Sequence, residues 1–177
     1  GSVSSSTPPR SAAPTPLRPV RLGAFDAVLE QGADGVIHLR TAQVLAPYHN
    51  NLSEPLEHWA KAAPERIFLG QRDAQDRWRT LSYAQVLEHV KRIGAALLRR
   101  GLSAERPIAI ISGNDIEHAL LAQAAMYVGI PYAPISPAYS LMSTDFGKLR
   151  AMIGLLTPGL VFANDGSAFA RAIAAVL

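Results

Sequence analysis

Three short stretches carry polar side chains of the kind that bind ligands: Ser112-Gly113-Asn114, Ser136-Pro137-Ala138-Tyr139-Ser140 and Asn164-Asp165-Gly166. Hydroxyl, carboxamide and phenol groups hydrogen-bond and line clefts, but they break covalent bonds only with a base or metal beside them. Folding accounts for part of each stretch. Asn114 reads as a helix cap with Glu117 three residues on, because its side-chain acceptor satisfies free N–H groups. Asn164-Asp165-Gly166 reads as a turn, since these residues tolerate the backbone angles a turn needs. The Ser-Pro-Ala-Tyr-Ser loop is least explained by folding. Asn114, Ser136, Tyr139 and Ser140 are therefore the candidate residues for a ligand-channel wall.

Groups for covalent or metal chemistry show no recognisable pattern. His38, His49, His58, His89 and His118 have no HxxxH or HExxH spacing. The count of cysteines is zero, which excludes a disulfide scaffold and a thiolate metal site and suits a reducing, cytoplasmic setting. GxGxxG, a lysine-bearing phosphate loop and GxSxG are missing from the sequence. Asp115 and Glu117, two apart on an expected helix, point in different directions. Neither a catalytic residue nor a metal ligand is assigned. Trp59 and Trp78 read as packing residues.

The elements that must hold those loops follow from pattern. Gly1-Ser2 reads as a cloning scar, and residues 1–19, rich in Ser, Pro, Ala and Thr, as a disordered leader. Residues 20–177 read as one domain. Ala27–Arg40 gives two β-rich runs around Gly32, Asp34 and Gly35, a hairpin signal. A short helix should follow, capped by Ser53, with Leu52, Leu56, Trp59 and Ala63 on one face. Ile67–Asp73 and Arg77–Leu81 form a second hairpin. Ser82 with Gln85 makes a capping box for a long helix whose stripe is Val86, Val90, Ile93 and Leu97, closed by Gly101.

From Pro107 the period changes. Pro107–Ser112, Tyr132–Ser136 and Leu160–Ala163 read as buried strands. Helices are expected to about Val128, over Asp145–Leu156 with Phe146, Leu149, Ile153 and Leu156 inward, and from about Ser167. Such spacing requires a parallel β-α-β-α-β unit, so the fold class is α/β. Ligands of such sheets bind beyond the carboxyl ends of the strands, where all three polar loops fall.

Charge narrows the partners. The net charge is +3, but Arg10, Arg18 and Arg21 precede the first acidic residue, Asp26, so the remaining 14 Lys+Arg balance 14 Asp+Glu. A nucleic-acid binder would cluster its cations on a folded face, and no such cluster is expected. The longest apolar stretch, Ala119 to Ile135, is interrupted by Gln123, Gly129 and Pro131, too short for a membrane span. The first 25 residues lack the apolar core of a signal peptide.

As a string, residues from about Leu22 onward resemble the adenylate-forming acyl-CoA synthetases. The broad features are WA followed by P-x-R, the hairpin ending W-R-T-L-S-Y, and the helix closed by R-x-G-L. SGNDIEHALLAQAAMYVGIPYAPISPAYSLMSTDFGKLR and LLTPGLVFAND are similar to the feruloyl-CoA synthase branch. The resemblance implies the N-terminal part of the large domain of an enzyme that uses ATP, Mg²⁺ and CoA. Such an enzyme turns a hydroxycinnamate into an acyl-adenylate and then a thioester. It also implies that the catalytic groups follow Leu177, leaving this segment inactive alone, a scaffold with an exposed sheet edge open to self-association. Another aryl- or acyl-CoA synthetase of the same superfamily, and a free-standing non-catalytic α/β binding or interaction module, are the alternatives.

Overall fold

The computed structural model describes residues 18–23 and 26–177. The expected disorder of the leader falls almost wholly outside them. The chain divides into two compact units, Gly1–Tyr48 and His49–Leu177.

Among its described residues the first unit holds one hairpin, β1 (Ala27–Gln31) against β2 (Ile37–Thr41), as the sequence predicts. Gly35 supplies the left-handed backbone of its turn at φ 82°, which a side chain would strain. Alternation makes the hairpin two-faced. Glu30 and Arg40 pair at 2.7 Å on one face. Leu29, paired with Leu39, and Ile37 occupy the other, all three at least 60% exposed.

The second unit begins with α1 (Glu54–Ala62). Ser53 precedes it, but its side chain makes no capping bond. Asn51 does that work instead, its Oδ1 accepting from the Ser53 and Glu54 amides. Of the expected stripe only Leu56 is buried, because Leu52 falls in the turn before the helix and Trp59 remains 38% exposed. The second hairpin is β3 (Ile67–Arg72) with β4 (Trp78–Ser82). Next comes α2 (Tyr83–Arg99), whose capping box is complete: Gln85 N–H donates to Ser82 Oγ, and Ser82 N–H to Gln85 Oε1.

The body is a three-stranded parallel sheet of order β6-β5-β7, from β5 (Ile108–Ile110), β6 (Tyr132–Pro134) and β7 (Leu160–Phe162). Helix α3 (Ile116–Val128) joins β5 to β6. α4 (Ala138–Leu141) and α5 (Gly147–Leu156) join β6 to β7, and α6 (Gly166–Val176) follows. Strands are shorter than the apolar runs suggested, and the four-residue α4 is not signalled by periodicity.

Alternation along β5 feeds two cores. Ile108 and Ile110 enter a layer with Leu56, Val86, Val90, Leu97, Leu120 and Leu121. Ala109 and Ile111 enter a second with Leu149, Ile153 and Phe169. All four β5-side residues are 0% exposed, and each fully buried isoleucine contributes roughly 1.5–3 kcal/mol. Gly94 lets α2 and α3 approach, since a Cβ there would lie 2.8 Å from Val128 Cγ1. Leu156, expected inward, is only half-buried.

Candidate functional site

The first strand of the body lies at its centre, with the second on one side and the third on the other. The chain leaves β5 toward the α3 layer and leaves β7 toward the α6 layer. Adjacent strands whose exits part in this way open a crevice at their carboxyl ends, the usual ligand position in open α/β sheets. Two of the three polar loops, Ser112-Gly113-Asn114 and Asn164-Asp165-Gly166, flank it.

On the β5 side the loop turns into α3 one residue later than the sequence suggested. Asp115, not Asn114, is the cap; its Oδ1 accepts from the His118 amide at 2.6 Å. This register puts Ile116, 4% exposed, at the first helical position. Asn114 is thereby released and exposed, lining a cavity of about 330 Å³ with Leu69, Gly70, Gln71, Asp115 and His118. His118 Nδ1 lies 3.0 Å from the Gly113 carbonyl, which can only accept, so this nitrogen carries the proton.

A second cavity, of about 440 Å³, is lined by Gln71, Arg72, Asp73, Arg79, Glu117 and Asn164. Arg79 pairs with Glu117 at 2.7 Å across it. Asp73 stands at the hairpin tip, where the Arg77 backbone N–H, above all, holds its carboxyl below the usual carboxylate value. Asp165, placed in a turn by the sequence, caps α6 by accepting from the Ser167 and Ala168 amides.

The remaining candidates lie apart from Asn114, on the β6 exit. Ser136 is exposed and its carbonyl accepts from the Tyr139 amide. Tyr139, in α4, packs against the second core with the Lys148 ammonium 5.5 Å from its ring centroid. Ser140 is 5% exposed, and its Oγ, like that of the buried Ser112 at the β5 exit, has no protein partner. The four residues therefore form two groups; none of Ser136, Tyr139 and Ser140 lines Asn114's cavity. Just before α5 the Asp145 carboxylate accepts from the Gly147 N–H, which chiefly lowers its pKa.

Gln71 and Arg79 are not singled out by the sequence and no local signal marks them, while Glu117, His118 and Asn164 are read there only as a capping partner, an unpatterned histidine and a turn residue. Gln71 lies 45 residues from the amide it accepts, and Arg79 lies 38 from its carboxylate. Hydrogen-bonding side chains and cations line the two cavities, Gln71 and Asn114 among the former, Arg72 and Arg79 among the latter. Among the described residues no group of three or more His, Asp or Glu converges to hold a metal ion, and no helix is long and apolar enough to cross a membrane.

The profile of the AMP-binding enzyme family matches residues 56–169, from α1 into α6. The chain is 26% identical over 122 residues to a probable non-canonical nonribosomal peptide synthetase, CymA, of Salinispora arenicola (strain CNS-205). The match covers 67% of this chain and 2% of that protein. Among solved structures it is similar to VinN in complex with L-aspartate, at 25% identity and TM-score 0.60, over 73% of this chain and 34% of that one. It is also similar in fold to a fatty acyl-adenylate ligase from L. pneumophila bound to acyl adenylate and pyrophosphate. There the identity is 18% and the TM-score 0.56, over 64% of this chain and 19% of that one. The chain thus spans 34% or less of the length of these relatives.

Proposed function

The chain belongs to the AMP-binding enzyme family, and from that premise we propose that it is the N-terminal scaffold of an ATP-dependent, AMP-forming acid–CoA ligase whose acid is a hydroxycinnamate, ferulate first. In this reading a carboxylate oxygen attacks the α-phosphorus of ATP, the bond to pyrophosphate breaks, and an acyl-adenylate forms. The CoA sulfur then attacks the acyl carbon and AMP leaves. Developing charge in both steps requires aimed donors or cations. Among the described residues no group of three or more His, Asp or Glu converges, and no residue of this chain is assigned to the Mg²⁺ that this reading implies.

The observation that carries the branch assignment is the run from Ser112 to Asp165, which resembles feruloyl-CoA synthases and builds the carboxyl edge of the sheet. In this reading Asn114, Ser136, Tyr139 and Ser140 belong to the wall of the acid or CoA channel. The chain alone is inactive, and its open edges at β6 and β7, each only three residues long, favour self-association. The setting is cytoplasmic.

The test is release of AMP and pyrophosphate by the full-length protein with CoA, ATP and a panel of acids. Ferulate as the best acid supports the reading. Turnover confined to acetate, long-chain acids or amino acids overturns the branch while leaving the family intact. Turnover by the 177-residue chain alone overturns the scaffold role.

A further inference from the structure

The β3–β4 hairpin is not held uniformly. Its root is packed: Phe68, Leu69 and Leu81 lie against the first core, and the Tyr83 and Ala84 amides donate to the carbonyls of Arg66 and Pro64. From Gly70 outward the residues of both strands are exposed, with Gln71 half-buried among them. Trp78 is 62% exposed and stacks with Arg72 of its own hairpin. The turn is likewise tied to itself, through Asp73 with Arg77 and Arg72 with Asp76. Apolar burial holds the root and stiffens nothing beyond it.

Two polar ties join this outer half to the body, and both end on the first turn of α3. Gln71 Oε1 accepts from the Ile116 amide at 2.9 Å and from Arg79 at 3.2 Å. Arg79 in turn pairs with Glu117. An ion pair with both members about half exposed contributes only about 0.2–1 kcal/mol and is weakened by salt. Gln71 is also the one residue shared by the cavities of about 330 and 440 Å³. Its side chain stands between them.

We propose that the outer half of the β3–β4 hairpin is a flap over the crevice, closed by a coupled clasp of Gln71, Arg79 and Glu117, and that opening it joins the two cavities into one. The proposal does not depend on which acid or acceptor the protein uses. The flap swings on its packed root without losing its own ladder, so the reporter is the Ile116 amide, freed only when Gln71 withdraws.

Amide hydrogen exchange by NMR on the 177-residue chain tests this. Glu117→Gln leaves Gln71 and Ile116 untouched, yet it should speed exchange at Ile116 by about two- to five-fold through release of Arg79. Raising salt to about 1 M should do the same in the wild type and little in the variant. Gln71→Leu sets the upper limit. Exchange at Ile116 that ignores both Glu117→Gln and salt overturns the coupling. If the β3 and β4 ladder amides speed up with Ile116, the hairpin unfolds rather than swings. If the His118 amide speeds up with it, α3 is fraying. Either result sinks the proposal.

Discussion

The two hairpins of this chain are nearly alike in sequence logic and unlike in circumstance. Each has strands of five or six residues and an Asp-containing turn. Each also has an Arg–carboxylate pair of its own, Arg40–Glu30 in one and Arg77–Asp73 in the other. The β3–β4 hairpin sets Phe68, Leu69 and Leu81 into a core. The β1–β2 hairpin leaves Leu29, Ile37 and Leu39 exposed. Two strands alone are marginal in water, so a ladder and an ion pair do not secure a hairpin; a buried face does. The difference lies in what each strand pair packs against, not in turn chemistry.

The largest effects should separate body from hairpin. Ile110→Ala, at a fully buried position of β5, should cost about 2–5 kcal/mol in urea unfolding. Leu39→Ala in β2 should stay within about 0.5 kcal/mol, and Leu81→Ala should fall between them. A cost at Leu39 equal to that at Ile110 would break the comparison, because the exposed face would then be covered in solution.

A smaller contrast concerns the helices after each turn. Ser82→Ala removes a completed capping box and should cost about 1 kcal/mol. Ser53→Ala should cost almost nothing, since that hydroxyl makes no capping bond. Thermal melts of both variants resolve this, and equal losses would contradict the cap geometry.

The smallest effect is acid sensitivity at the β3–β4 tip. Asp73 has a pKa lowered from 3.8, chiefly by the Arg77 backbone N–H. A depressed carboxyl contributes stability above its unfolded value and loses it as pH falls through the folded one. Trp78 fluorescence should therefore hold steady down to about pH 4 and change only below it. Asp73→Asn should abolish that acid transition without moving the root of the hairpin. A transition unchanged in Asp73→Asn would assign it elsewhere.

Much of this architecture was legible because its signals are local. The Ser82–Gln85 box, the Val86–Val90–Leu97 stripe and the glycine stop at Gly101 each need only a few neighbouring residues. The cap of α3 was misplaced by one residue because Asn114 and Asp115 are equally good caps locally. What separates them is the burial of Ile116 and an acceptor from Gln71, contacts that sequence does not display. The crevice fared similarly. Its strand-end loops follow from the sequence, but the wall residues Gln71 and Arg79 come from a hairpin, 45 and 38 residues upstream of the α3 residues they bond, Ile116 and Glu117. Helix α4 escaped notice because four residues complete barely one turn and leave no period to read.

The way β5 feeds both cores also constrains the order of assembly. Ile108 and Ile110 close one layer, Ala109 and Ile111 the other. A slip of one residue would exchange the two sets and press a large side chain where an alanine fits. Neither layer can finish packing until that short strand is in register, and both lose their seam together when it leaves. Folding of the body should therefore be a single cooperative event in which β5 is committed early, with high φ-values at Ile108 and Ile110, rather than the sequential closure of two independent halves.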